Sequence, residues 1–193
     1  MIALDKFEQD LTALIGNPTD LRPFVCEGSP LNCKAFIVGF NPATEMSADF
    51  WSFWRPGYGF DKSAWFADYL KDRQDRPLKP GKTRRPTISN TRRVIGWILQ
   101  EASPVHCLET NIYAAPTEQA ADLALAHRLT APVDFLIESI KPDIVIVHGK
   151  DAATHLQGKG IAAHVIAVPH FSRGWSQSDA RALGQRIRHE CNA

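Results

Sequence analysis

Apolar positions along this chain alternate between a helical and an extended rhythm. Residues 3–15 read as an amphipathic helix, 33–40 as a buried strand and 63–72 as a second helix. The run SNTRRVIGWILQEA is a third helix, its start marked by Ser89 or Asn90 and one face formed by Val94, Ile95, Ile98 and Leu99. HCLETNIY (106–113) reads as a strand, followed by helices at 117–128 and 131–140 that separate near Thr130-Ala131-Pro132; Lys141-Pro142 ends the second. DIVIVHG (143–149) is almost wholly apolar, as a strand buried on both faces of a parallel sheet should be. A helix at 150–157, the strand AHVIAVPH (163–170) and a helix at 176–190 complete the series. Strands alternating with helices predict an α/β fold, a three-layer α/β/α sandwich around a central, mainly parallel four-stranded sheet. Residues 74–88, rich in Pro, Arg and Lys, read as a mobile loop.

Length sharpens this picture. A chain of 193 residues with 44% hydrophobic content can bury roughly 70% of its unfolded surface in one core, so a single domain over residues 1–193 is expected. No run of about eighteen apolar residues occurs, and the first residues, MIALDKFEQDLTALIG, carry acids in an amphipathic pattern rather than a basic segment before an apolar block. A cytoplasmic, membrane-free monomer is the expectation. Cys26, Cys33, Cys107 and Cys191 lack C-x-x-C spacing and a paired histidine motif, so they read as free thiols, with no metal and no cofactor expected.

Two local excesses stand out. Phe50, Trp51, Phe53, Trp54, Tyr58 and Phe60 crowd a segment broken by Pro56, Gly57 and Gly59, where loop aromatics need something to pack against. The net charge is only +1, yet Lys71, Arg73, Arg76, Lys79, Lys82, Arg84, Arg85, Arg92 and Arg93 are opposed in their segment by Asp72 and Asp75 alone. Such a patch can bind a polyanion although the whole chain is near neutral.

In open α/β sheets the ligand lies beyond the carboxyl ends of the strands. Here those ends read GFNPAT, TNIYAAPT, VHGKD and VPHFSRGWS, which brings Asn41, Asn111 and His170 to one rim. Singly, each has an ordinary structural explanation: turn initiation before Pro42, backbone capping, or a packed histidine. Together they point to a site.

These same stretches carry a resemblance. VGFNPAT resembles the first motif of the uracil-DNA glycosylase superfamily, in the Asn-Pro branches that include the mismatch-specific and single-strand-selective enzymes. TNIYAAPT resembles its middle strand, VIVHGKDAATHL the strand-Gly-helix that follows, and VPHFSRGWS its second, His-Pro-Ser motif, with Phe171 in place of the proline. The match runs in order over about residues 33–176.

The resemblance implies a role for each residue. Asn41 would hold the attacking water, His170 would donate to O2 of the departing base, and Asn111 would read the base's Watson–Crick edge. Gly39, Phe40, Pro42 and Ala43 would surround the base, with backbone N–H groups near Gly39–Asn41 available to it. Phe53 or Trp54 would supply the aromatic face on which the flipped base stacks, while packing accounts for most of the other loop aromatics. Arg84, Arg85, Arg92, Arg93 and Ser172 would contact DNA, and Arg173, with Trp175 as runner-up, would fill the gap left by the flipped nucleotide. Ala43 stands where strict uracil enzymes have a Tyr that blocks the space beside C5.

Two other signals carry less. PGKT at 80–83 lacks the first glycine and the preceding strand of a phosphate-binding loop, and His106 and Cys107 are adjacent on a strand and so point apart. The expected function is therefore that of a monofunctional DNA glycosylase in base excision repair, a hydrolase acting on uracil or a related damaged base in single- or double-stranded DNA. The alternatives are a catalytically silent nucleic-acid- or nucleotide-binding member of the same fold, and an α/β enzyme of unrelated substrate.

Overall fold

A five-stranded sheet organises the chain in the computed structural model, which describes residues 3–43, 46–78, 81, 83–117 and 120–192. Its strands are β1 (Phe24–Val25), β2 (Ala35–Gly39), β5 (Cys107–Asn111), β6 (Ile144–His148) and β7 (His164–Val168), in the order β1-β5-β2-β6-β7. Four run parallel; β1 pairs antiparallel with β5, Phe24 opposite Thr110 and Val25 opposite Glu109. The four expected strands are thus joined by a fifth at the edge, too short to leave a two-residue rhythm in the sequence. A separate hairpin, β3 (Trp54–Arg55) with β4 (Gly59–Phe60), lies in the aromatic segment.

Helices cover both faces. On one, Ala35, Ile37, Cys107, Ile144 and Ile146 pack against α3 (Asn90–Ala102) and α6 (Gln177–Asn192). On the other, Phe36, Val38, Leu108, Val145 and Val147 meet α1 (Leu4–Ile15), α4 (Ala131–Ile140) and α5 (Lys150–Leu156). The central strands are buried at every position because both faces are covered. Ser89 caps α3 by accepting from the Arg92 N–H, and Asp61 caps α2 (Lys62–Asp75) by accepting from the Ala64 N–H.

The helix expected at 117–128 does not form among the described residues. Single 3-10 turns at Ala120–Asp122 and Leu125–His127 replace it. The stretch has good helix formers but no apolar stripe to dock: Leu123 is buried, whereas Leu125 is 82% exposed. No described helix is long and apolar enough to cross a membrane. The four cysteines are free and buried.

The loop aromatics pack mainly on one another and on α1. Phe50 stacks on Phe60 at 5.3 Å and meets Phe24 edge-on at 5.2 Å, while Trp54 stacks on Phe7 at 6.4 Å. Tyr58 alone of the group is well exposed, its hydroxyl donating to Glu27.

Candidate active site

The order of strands reverses at β2. From there the chain steps to β5 on one side and later to β6 on the other, which opens a crevice beyond the carboxyl ends of these three strands. A cleft of about 920 Å³ lies there, lined by Phe40, Asn41, Asn111, His148 and His170 among others.

Asn41 follows β2 and is held by one end of its amide. Its Nδ2 donates to Thr117 Oγ1 at 2.7 Å and to the Pro42 carbonyl at 3.3 Å. The Thr117 N–H donates to that same carbonyl at 3.0 Å, so residue 117 is tied to the first loop through backbone as well as side chain. With the nitrogen committed, Oδ1 is the atom that Asn41 can offer to a ligand.

Asn111, the last residue of β5, sits opposite Gly39. A Cβ on Gly39 would lie 2.6 Å from Asn111 Oδ1 and 3.0 Å from His148 Nε2, so glycine is what lets both polar groups close over this strand end. The Asn111 carboxamide makes no hydrogen bond among the described residues. His148, the last residue of β6, is 6% exposed, and its Nδ1 is sealed from solvent without a partner. Burial first, and then the neighbouring His170 ring, push it down to about 3, against an upward pull from Glu109.

His170 lies on the loop after β7, its ring 4.9 Å from that of His148. The Ser172 N–H donates to His170 Nδ1 at 3.2 Å, and Ser172 Oγ is 2.8 Å from the same atom. Since a backbone N–H only donates, Nδ1 is the acceptor and the neutral ring carries its proton on Nε2. Burial lowers the His170 pKa, which favours that neutral form. Gly149, at φ +92°, leaves room for this ring: a Cβ there would come within 3.1 Å of His170 Cδ2. Phe171 is 1% exposed, stacks on His148 at 4.3 Å and meets Trp175 edge-on at 5.0 Å. Phe171 therefore anchors the loop in the core, with His170 at the rim.

Of the residues expected around a base, Phe40, Pro42, Ala43, Phe53 and Asn111 line the cleft with Asn41 and His170. Trp54 does not; it is buried against Phe7, Phe24 and Trp51.

The basic residues divide. Arg85 donates to the carbonyls of Arg73 at 2.7 Å, Arg76 at 3.0 Å and Pro77, closing the carboxyl end of α2. Arg92 lies over the Trp65 ring at 4.8 Å and pairs with Glu109, which Lys62 also reaches at 2.7 Å. Burial alone would raise the Glu109 carboxyl, but Arg92 and Lys62 outweigh it and hold it down at about 2. Both arginines, expected to contact DNA, thus have partners within the protein: backbone carbonyls for Arg85 and a buried carboxylate for Arg92. Arg84, Arg93 and Arg173 are exposed. Arg93 reaches Asn90 Oδ1 at 3.4 Å, and the Ser172 carbonyl accepts from Asn90 Nδ2 at 3.3 Å. Trp175 is half-buried and donates to the Pro169 carbonyl at 3.2 Å. Lys79, Pro80 and Lys82 lie outside the described residues.

Thr117 and His148 were not anticipated. Thr117 carries no signal in the sequence, since its partner lies 76 positions away. For His148 strand parity was available: Ile144 and Ile146 face α3 and α6, and the residue two further on must share that face. Among the described residues no group of three or more His, Cys, Asp or Glu side chains is placed to hold a metal ion. No family model matches this chain, and no curated protein matches it.

Proposed function

We propose that this chain is a monofunctional DNA glycosylase that hydrolyses the N-glycosidic bond of uracil or a related damaged base. Breaking that bond builds positive charge on the sugar and negative charge on the base, so the chemistry calls for a held water and a donor aimed at the anion. The observation that carries the reading is the Asn41–Thr117 pair. It commits the amide nitrogen at 2.7 Å and leaves Oδ1 to accept from a water at the mouth of the cleft. An amide is a weak base, so its part is to orient that water.

His170 supports the reading from the other side. A neutral imidazole with its proton on Nε2 donates to a developing anion without neutralising it beforehand, and the Ser172 N–H enforces that tautomer. Asn111 offers a paired donor and acceptor to a base edge, and Phe53 offers a ring to stack on. Arg84 and Arg173, both exposed, are side chains available for phosphate. The resemblance of VGFNPAT, TNIYAAPT and VPHFSRGWS to the superfamily's motifs points the same way.

The test is incubation with single- and double-stranded oligonucleotides bearing one uracil, followed by alkaline cleavage at any abasic site. Strand scission at the uracil position is expected. Binding without scission would replace this reading with that of a silent nucleic-acid-binding protein, and neither binding nor scission would end it.

A further inference from the structure

The two borders of the main sheet differ. β1, at one of them, is two residues long, and shortness protects an edge from pairing with another chain. β7, at the other, runs for five residues, HVIAV, in unbroken register with β6 and with no Lys, Asp, Glu or Pro to guard it. Its one polar residue, His164, is held by Glu190 at 2.5 Å. No described strand lies beyond it. We propose that β7 pairs antiparallel with β7 of a second copy of this chain, about a two-fold axis through Ile166, joining the two five-stranded sheets into one.

The backbone sets that register. The His164 N–H donates to the Asp143 carbonyl and the Gly149 N–H to the Val168 carbonyl, both at 3.0 Å. In a parallel ladder this makes His164, Ile166 and Val168 the residues whose N–H and C=O groups turn toward β6. Those of Val165 and Ala167 turn outward. An antiparallel copy centred on Ile166 sets Val165 opposite the partner's Ala167, and Ala167 opposite the partner's Val165. Each pair exchanges two hydrogen bonds, so every outward group of the strand is satisfied. An axis through Ala167 would instead set Val165 against Pro169, which has no N–H to give.

Side chains agree with the pairing. Ile166 and Val168 pack on the side of α3 and α6, and strand alternation turns Val165 and Ala167 to the opposite face. There Val165 is 38% exposed and Ala167 is exposed, although both are apolar. Pairing lays each beside the other in the copy. A net charge of +1 puts little repulsion between two chains, and a two-fold contact lets one sequence satisfy both edges at once. Since the paired strands run oppositely, the carboxyl ends of the two sheets point away from each other, and both clefts stay open. The pairing does not depend on the base-excision reading.

Sedimentation velocity over about 1–200 µM protein tests it. The interface is small, so a dissociation constant on the order of 10 µM is expected. The mass should rise across the range from 21.5 kDa toward twice that value. Ala167→Pro removes an N–H that bonds nothing within one copy, and should keep the fold while staying monomeric throughout. The central Ile166 pair is of the non-hydrogen-bonded kind, with Cα atoms about 4.5 Å apart, within a disulfide's reach. Ile166→Cys should therefore link to its copy in glutathione disulfide, whereas Val165→Cys, two residues out of register with itself, should not; the four native cysteines are buried. Wild-type protein still monomeric at about 200 µM would overturn the proposal and leave this edge to a strand of another protein. A folded Ala167→Pro protein that dimerises like wild type would overturn it too. Should that variant fail to fold, the cysteine variants decide: linkage through position 165 and not 166 would refute the register, and linkage through neither would refute the pairing.

Discussion

Replacing Thr117 by Val removes one oxygen and almost no volume, and so tests what orients the Asn41 amide. The Asn41 Nδ2 would lose its 2.7 Å partner and keep only the Pro42 carbonyl at 3.3 Å, while the backbone bond from residue 117 to Pro42 survives. One neutral hydrogen bond contributes about 1 kcal/mol to stability, so the melting temperature should fall by only about 2–4 °C in a chain of this size. The catalytic cost should be larger. Free flipping of the amide costs at most about twofold, by halving the correctly oriented population, but a loosened water-holding atom displaced by about an ångström costs up to 10²-fold. Single-turnover release of uracil under saturating protein should therefore slow by about 10- to 100-fold, with binding to a 2′-fluorouridine oligonucleotide unchanged. Thr117→Ser retains the hydroxyl and should recover most of the rate. A Thr117→Val protein within twofold of wild type, or one whose Ser counterpart is equally slow, would refute the idea that this bond orients the amide.

The remaining predictions separate structure from recognition. Replacing Arg84 and Arg173 by Ala should lower the salt dependence of DNA binding by about two phosphate contacts' worth of slope, whereas Arg92→Ala should leave the slope alone and cost about 3 kcal/mol of stability by breaking a buried pair; an unchanged slope in the first protein would remove both residues from the interface. Ala43→Tyr should exclude 5-hydroxymethyluracil while sparing uracil, and rejection of the modified base by the wild-type protein would show that another side chain closes that side of the cleft. The pKa of His148 is lowered on folding to about 3, so the unfolded chain binds the extra proton between the ordinary value and that one, and stability is lost as pH falls through this window. At pH 5 the loss from this group is about 2 kcal/mol relative to neutral pH; chemical denaturation of wild type and His148→Phe across pH 4–7 should show the variant less acid-sensitive, and parallel curves would contradict the burial argument.

Much of the sheet could be read before the structure. IVIVH announces a strand covered on both faces, and Ser89 followed by the Val94-Ile95-Ile98 stripe announces α3 with its start. What escaped was decided by contacts distant in the chain. Phe24 and Val25 form a strand because Thr110 and Glu109 offer an open edge, not because two residues have a rhythm. EQAADLALAH has the propensity of a helix, but Leu125 has nothing to cover it. The basic cluster looked like a phosphate surface because a sequence displays charge and conceals its partners: Arg92 ends on Glu109, and Arg85 on the carboxyl end of α2. Asn41, Asn111 and His170 were legible because strand ends in this architecture converge. Trp54 and Phe53, adjacent and chemically alike, could be assigned to core and cleft only once the turn of β3 was known.

The central claim is that Asn41 handles the water that breaks a glycosidic bond. Single-turnover release of free uracil from a single-stranded oligonucleotide, by wild type and by Asn41→Ala, tests it most directly. The account predicts stoichiometric release by wild type and a rate about 10²- to 10⁴-fold lower in the variant, with the affinity for a 2′-fluorouridine oligonucleotide preserved. Equal rates in the two proteins, or no release by the wild type at saturating concentration, would contradict it.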